Sequence, residues 1–312
     1  MNKILFYGAS VTHQSGSSSY FDNLNKVKFI YSRMSYPSSQ FYNAGFYNIS
    51  RVKTLTEIPD ILFFEWSTTG ENIFDIDKLI YVLNELINSK ILPVFLLLPK
   101  KETYKVNRPS DNQLYSLSSE FEIPLLDLRY LLNENNIDEI LRDGVHTTEV
   151  GAKLYADAIN RFLEFLAYGN HKNILLKHVP NYSIKIFDGN IDLFVGQLLA
   201  LNFDSYSQAS EIAISHTVGP YSPIIEYISD GVVIGKHSFF DPWCYYERDN
   251  FTTLVPQSIF KKLSLKSLGI RISSDPPDFS ITKTGEFFNI PRRINIHSIF
   301  TCNLKDFSCS IS

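Results

Sequence analysis

Hydrophobic residues follow two rhythms along this chain. In the first half, short wholly apolar runs alternate with stretches whose apolar residues recur every three or four positions; later only strand-length runs remain. Lys3-Ile4-Leu5-Phe6-Tyr7 reads as a buried strand, and the Gly- and Ser-rich segment from Gly8 to Ser19 as the loop after it. From Tyr20 onward Phe21, Leu24, Val27, Tyr31 and Met34 recur at helical spacing. Val27, Phe29 and Tyr31 also alternate as a strand would; the helical reading is preferred, with Pro37 ending the helix. Phe41 to Ala44 predicts a short second strand entering a turn at Gly45 to Asn48. Ile61 to Trp66 is apolar on both faces, as a central parallel strand should be, and ends in the polar loop Ser67 to Asn72. Asp75 to Lys90 carries Ile76, Leu79, Ile80, Leu83, Leu86 and Ile87 on one stripe and predicts an amphipathic helix. Ile91 to Leu98 reads as a strand, Leu114 to Glu122 as a helix and Pro124 to Asp127 as a last short strand. Strand and helix in this alternation predict an α/β fold, a parallel sheet with helices on both faces.

A threonine at 147 or 148 can cap a long helix running to about Tyr168, with Leu154, Ile159, Phe162, Leu163 and Leu166 apolar. Gly169-Asn170-His171 marks a boundary, and the helical period then disappears. Strand-like segments follow at Tyr182–Phe187, Leu193–Leu201, Ile212–Thr217, Ile224–Ile234, Gly269–Ser273 and Ile294–Phe300. Turn signals separate them: Asp188-Gly189-Asn190, Gly219-Pro220 and Asp275-Pro276-Pro277. The expectation is an α/β domain over residues 1–169 and a β-sandwich accessory domain over 170–312.

Composition narrows the function classes. Across 312 residues, 44% hydrophobic content with 20% charged residues is that of a globular protein with a real core, and disorder is not the main theme. The net charge of −4 and the absence of a Lys/Arg stripe argue against nucleic acid as a partner. Cys244, Cys302 and Cys309 form no CxxC pair and no zinc spacing, so no metal is expected, and reduced thiols suit a cytosolic protein. The first apolar run stops at Gly8, too short for a signal peptide, and no run approaches the ~18 residues of a membrane span. A cytoplasmic location is the expectation.

Two segments carry candidate chemistry. Asp143-Gly144-Val145-His146, closed at once by a helix, holds an imidazole close to a carboxylate three residues before it. Gly8-Ala9-Ser10 places a hydroxyl just past the first strand, where an open α/β sheet presents reactive groups. A turn or capping serine at Ser10, and a capping pair at Asp143 and His146, are the bland readings of the same residues. His13 reads as a solvent-facing loop histidine, and His216 and His237 lack metal-ligand spacing. Phe239 to Arg248 packs aromatics among charges; sandwich packing explains it, and sugar contact is the alternative.

With these residues in place the chain resembles the SGNH (GDSL-type) hydrolase family over residues 1 to about 168. Gly8-Ala9-Ser10 resembles its first block, and Asp143-Gly144-Val145-His146 its closing DxxH, in the same order. The resemblance implies a three-layer fold and a Ser10, His146 and Asp143 triad working through an acyl-serine, without a cofactor. Its implied substrates are O-acyl, chiefly O-acetyl, groups of a carbohydrate or another small ester. Transfer to a sugar hydroxyl is one alternative, and an impaired glycan-binding protein on the same fold is another. The departures are specific. Ala9 stands where the family has Asp, Asn48 falls on its oxyanion glycine, and Thr69 on its oxyanion asparagine, with Asn72 a nearby substitute. Loss of one such donor costs about 10² to 10³ in rate.

Overall fold

The computed structural model describes residues 2–69, 72–167, 179–203, 210–240, 244, 246–254, 267–275, 290–304 and 307–312. The chain divides into two compact units, Met1–Asn181 and Tyr182–Ser312. The anticipated boundary at Gly169-Asn170-His171 lies outside the described residues, as do Gly70, Asp241, Pro242, Trp243, Tyr245, Pro276 and Pro277.

In the first unit five parallel strands, β1 (Lys3–Gly8), β2 (Ile30–Ser35), β3 (Ile61–Glu65), β4 (Leu92–Leu97) and β5 (Leu125–Asp127), lie in the order β2-β1-β3-β4-β5. The central strands are apolar over most of their length because both faces are covered. Ile4, Phe6, Phe63, Val94 and Leu96 share one buried cluster with Tyr155, Ile159 and Leu163 of the long helix. The alternate residues Leu5, Tyr7, Leu62 and Phe64 are equally buried and face the other layer, where Tyr7 meets Trp66 and Phe64 meets Phe41 and Phe74. The helices are α1 (Ser10–His13), α2 (Ile49–Val52), α3 (Ile76–Asn88), α4 (Pro109–Phe121), α5 (Ile137–Ile140) and α6 (Glu149–Ala167). Asp75 starts α3 by accepting the N–H groups of Asp77 and Lys78, and Thr148 Oγ1 accepts that of Gly151 at the start of α6. Strand order turns back between β1 and β3, which opens a crevice at their carboxyl ends. Among the described residues no helix is long and apolar enough to cross a membrane.

Three expectations in this unit are corrected. Residues Tyr20 to Met34 form turns and then β2 instead of a helix. The period-two set prevails: Phe29 and Tyr31 share a face, and the Tyr31 ring meets both Phe29 and Phe6. Val27, which a helix would have buried, is 78% exposed. Phe41 to Ala44 is a π-helical turn (Phe41–Gly45), not a strand, and the chain stays helical through Asn48 into α2. Asn43 explains it, since its Oδ1 accepts the N–H groups of Gln40 and Ala44, the local side-chain bonding that displaces a ladder. Finally, α4 begins five residues early, at Pro109, because proline suits a first helical turn and Asp111 accepts the N–H of Arg108.

The second unit holds two antiparallel sheets, β10-β9-β12-β7-β14 and β11-β8-β13-β6. Its strands are β6 (Ile184–Phe194), β7 (Leu198–Phe203), β8 (Glu211–Val218), β9 (Ile224–Ser229), β10 (Val232–Ser238), β11 (Arg248–Leu254), β12 (Ser267–Ile272), β13 (Arg293–Cys302) and β14 (Phe307–Ile311). Inward residues of both sheets, among them Leu199, Leu201, Ile212, Ile214, Ile225, Ile270 and Ile296, form one core, as a sandwich requires. The anticipated single strand Ile224–Ile234 is a hairpin. Its turn is Asp230-Gly231, both at positive φ (50° and 77°), the geometry that Asp-Gly favours. Asp188-Gly189-Asn190 is not a turn but a bulge inside β6, opposite His297. β11 and β14 were not anticipated: one is rich in polar residues, the other an exposed edge.

Candidate active site

The turn that carries Ser10 is shaped by close approach of β1 to β3. A Cβ on Gly8 would stand 2.3 Å from the Glu65 carbonyl oxygen, so only glycine lets β1 end there. Ala9 then donates its N–H to the Glu65 carbonyl (3.2 Å) and to Glu65 Oε2 (3.3 Å). Ser10 follows as the first residue of α1, partly exposed at the crevice.

The Asp143–His146 loop is closed by its own backbone. Leu141 and Thr147 form a bridge, Arg142 N–H donates to the His146 carbonyl (2.9 Å), and Lys101 N–H donates to the Gly144 carbonyl (2.8 Å). Asp143 Oδ1 accepts the N–H groups of Val145 (3.0 Å) and His146 (2.8 Å). Its two oxygens also lie 3.0 and 2.9 Å from His146 Nδ1. An acceptor at Nδ1 keeps a proton there, which leaves Nε2 free to accept. That atom is 3.1 Å from Ser10 Oγ, 136 positions earlier in the chain, within reach for proton transfer. Partial burial pushes the Asp143 carboxyl up, but the Val145 and His146 N–H groups and the imidazole outweigh it and hold the carboxyl below the usual range. The three anticipated residues Ser10, Asp143 and His146 therefore meet.

The two candidate oxyanion residues are engaged elsewhere. Asn48 donates both its backbone N–H (3.2 Å) and its side-chain Nδ2 (3.0 Å) to the Ala44 carbonyl. The Thr69 hydroxyl donates to the Trp66 carbonyl (3.0 Å). The backbone N–H of Ser10, in the first turn of α1, has no intrahelical acceptor. Elsewhere, His13 is exposed and paired with Ser35. His216 is buried against Phe239 and bonded to Thr252, with its pKa lowered to about 3 by burial. Phe239 and Phe240 are core residues, whereas Tyr246 is exposed. Among the described residues no group of three or more His, Cys, Asp or Glu is placed to hold a metal.

Two residues at the site were missed. Glu65 is fully buried; its Oε2 also accepts the Thr12 hydroxyl (2.9 Å), and its Oε1 the Thr68 hydroxyl (2.7 Å). Because Thr12 donates to Glu65, Tyr20 donates to Thr12 (2.7 Å). Burial raises the Glu65 pKa to about 6, against these hydrogen bonds. A lone carboxylate ending an otherwise apolar strand was the available signal. Gln14 gave no signal within its Ser-rich loop. Its side chain bonds the backbone of Thr147 in both directions (3.4 and 3.5 Å), and Thr147 Oγ1 lies 2.7 Å from the Ser18 carbonyl. These bonds tie the loop after Ser10 to the residue after His146.

No family model matches the sequence, and no curated protein matches it. Solved structures do. A two-domain esterase (CEX) active on acetylated mannans, co-crystallised with mannopentaose, superposes with a TM-score of 0.67 at 12% identity, covering 98% of this chain and 92% of that one. A second structure of a two-domain esterase (CEX) active on acetylated mannans gives 0.59 at 13% identity, covering 96% and 90%. A GDSL-like lipase from Bacteroides thetaiotaomicron VPI-5482 gives 0.40 at 14% identity, covering 53% of this chain and 89% of that one. The chain thus has the fold of the two-domain esterases, an α/β unit with a central parallel sheet followed by a unit of antiparallel sheets.

Proposed function

We propose that this protein is a serine-dependent carbohydrate esterase that removes O-acyl groups, O-acetyl above all, through an acyl-serine intermediate. The observation that carries the reading is the run of contacts from Asp143 through His146 to Ser10 Oγ, at 2.9 and 3.1 Å. The fold shared with esterases active on acetylated mannans supports it and suggests a mannan-like glycan.

Ser10 Oγ forms a bond to the ester carbonyl carbon as its proton passes to His146 Nε2. Asp143 keeps the ring oriented and stabilises the imidazolium. The tetrahedral adduct collapses, the C–O bond to the sugar breaks, and the sugar oxygen takes the proton from Nε2. Water then loses a proton to Nε2 as it attacks the acyl carbon. The second adduct collapses, the bond from the acyl carbon to Ser10 Oγ breaks, Oγ takes the proton from Nε2, and acetic acid leaves, ionising to acetate in solution. The Ser10 backbone N–H is one candidate donor to the oxyanion. Asn48 and Thr69 remain candidates only if substrate binding draws a donor away from the Ala44 or Trp66 carbonyl. The β-sheet unit is proposed as an accessory domain that contacts carbohydrate. No cofactor enters the scheme.

Acetate release from acetylated mannooligosaccharide, with and without free sugar as acceptor, tests this reading. Release independent of acceptor fits the esterase, and acetyl appearing on the acceptor fits a transferase sharing the first half-reaction. The engagement of the Asn48 and Thr69 donors favours a second reading, an impaired glycan-binding protein. In that case no acetate appears, and Ser10→Ala changes nothing measurable.

A further inference from the structure

Beyond the carboxyl ends of β4 and β5 lies a cleft of about 600 Å³ that the chemistry at Ser10 does not use. One wall is the connection after β4, with Tyr104, Lys105 and Asn107; the other is the segment after β5, with Tyr130, Asn133 and Asn135. Every charge lining it is already matched. Lys105 pairs with Glu134. Arg129 is held by Asp127 (2.8 Å), by the fully buried Asp111 (2.9 Å) and by the Tyr115 hydroxyl (2.9 Å), and Asp111 also takes Arg108 (2.7 Å). An anionic ligand would find no unpaired cation here, and a cationic one no unpaired anion. What the walls do offer is neutral. Tyr130 keeps 68% of its surface exposed, and the side-chain amides of Asn107 and Asn135 are exposed at the cleft.

An exposed tyrosine beside uncharged amides suits a ligand with apolar C–H faces and many hydroxyls. The connection after β4 also meets the Asp143–His146 loop, through Lys101 N–H on the Gly144 carbonyl (2.8 Å). We propose that this cleft binds sugar residues of an uncharged glycan, with Tyr130 stacking on a pyranose ring. The inference rests on the esterase reading for its link to Ser10, because the acylated sugar would occupy the crevice while the same chain continues into the cleft.

The test is calorimetric binding to the full chain carrying Ser10→Ala, with β-1,4-linked pentasaccharides of mannose, glucose and N-acetylglucosamine, and a galacturonate pentamer as the charged control. At least one neutral probe should bind at millimolar concentration or below. Adding Tyr130→Ala should weaken it about tenfold, whereas Tyr130→Phe should keep it. The Tyr130 side chain is mostly in water, so its removal leaves the core intact. Failure of all neutral probes to bind, equal affinity in the Tyr130→Ala protein, or tighter binding of the galacturonate would each overturn the proposal. The esterase reading fails separately, on absence of acetate release from the protein with Ser10 intact.

Discussion

Glu65 and Asp143 are both carboxylates near Ser10, and their surroundings drive their pKa values apart. Asp143, half exposed, is held low by backbone N–H groups and the imidazole; the stability it gains exists above its unfolded pKa and is lost as pH falls through the lower folded value. Glu65 runs the other way. Its pKa rises from 4.5 to about 6, so the folded state holds the proton more tightly, and stability present below 4.5 is lost as pH climbs through about 6. The loss amounts to about 2 kcal/mol. Unfolding free energies of the wild type and Glu65→Gln should therefore converge or cross by about that amount between pH 4.5 and about 7, the wild type losing ground. A constant difference between the two would contradict the assignment. For Asp143, replacement by Asn reverses the demand at Nδ1 and favours the wrong tautomer. Asp143→Asn should lower kcat by about 10⁴ with little change in KM; a variant within tenfold of wild type would remove Asp143 from the mechanism.

Between elements, the site depends on two contacts that hold distant segments together. Gln14 joins the loop after β1 to Thr147, and Gly151 lets α6 settle on α5, since a Cβ there would stand 2.1 Å from the Ile140 carbonyl oxygen. Gln14→Ala should cut kcat about 10- to 100-fold by loosening His146 relative to Ser10, and stopped-time acetate assays at saturating substrate check this. Gly151→Ala should destabilise the fold by about 1–3 kcal/mol, read by denaturant unfolding. Element type was legible where a pattern was long and had a single meaning, as in α3 and α6. It failed over Tyr20 to Met34, where two periods overlap, and at Phe41, where aromatic residues suggest a strand and one asparagine side chain selects a π-helical turn. Asp230-Gly231 carried a readable hairpin signal inside an apolar stretch. Gln14 carried none, because its meaning lies in a partner 133 positions away.

At the scale of the whole molecule, the α/β unit followed by β-sheets was legible because helical periods alternate with apolar runs up to about Tyr168 and are absent after it. The meeting of Ser10, His146 and Asp143 was legible too, through the DxxH spacing and the serine after β1, whereas the local bonding of Asn48 and Thr69 was not. The resemblance points to Asn48 and Thr69 as oxyanion residues, and their donors bond to local carbonyls that sequence spacing does not reveal. The proposed mechanism requires that an imidazole from the far end of the first unit activate an alcohol at its beginning. Intact-protein mass spectrometry after incubation with a serine-reactive phosphonate tests this most directly, comparing wild type with His146→Ala. One adduct, located on Ser10, is expected in the wild type and none in the variant; an unlabelled Ser10, or equal labelling of both proteins, would overturn this mechanism.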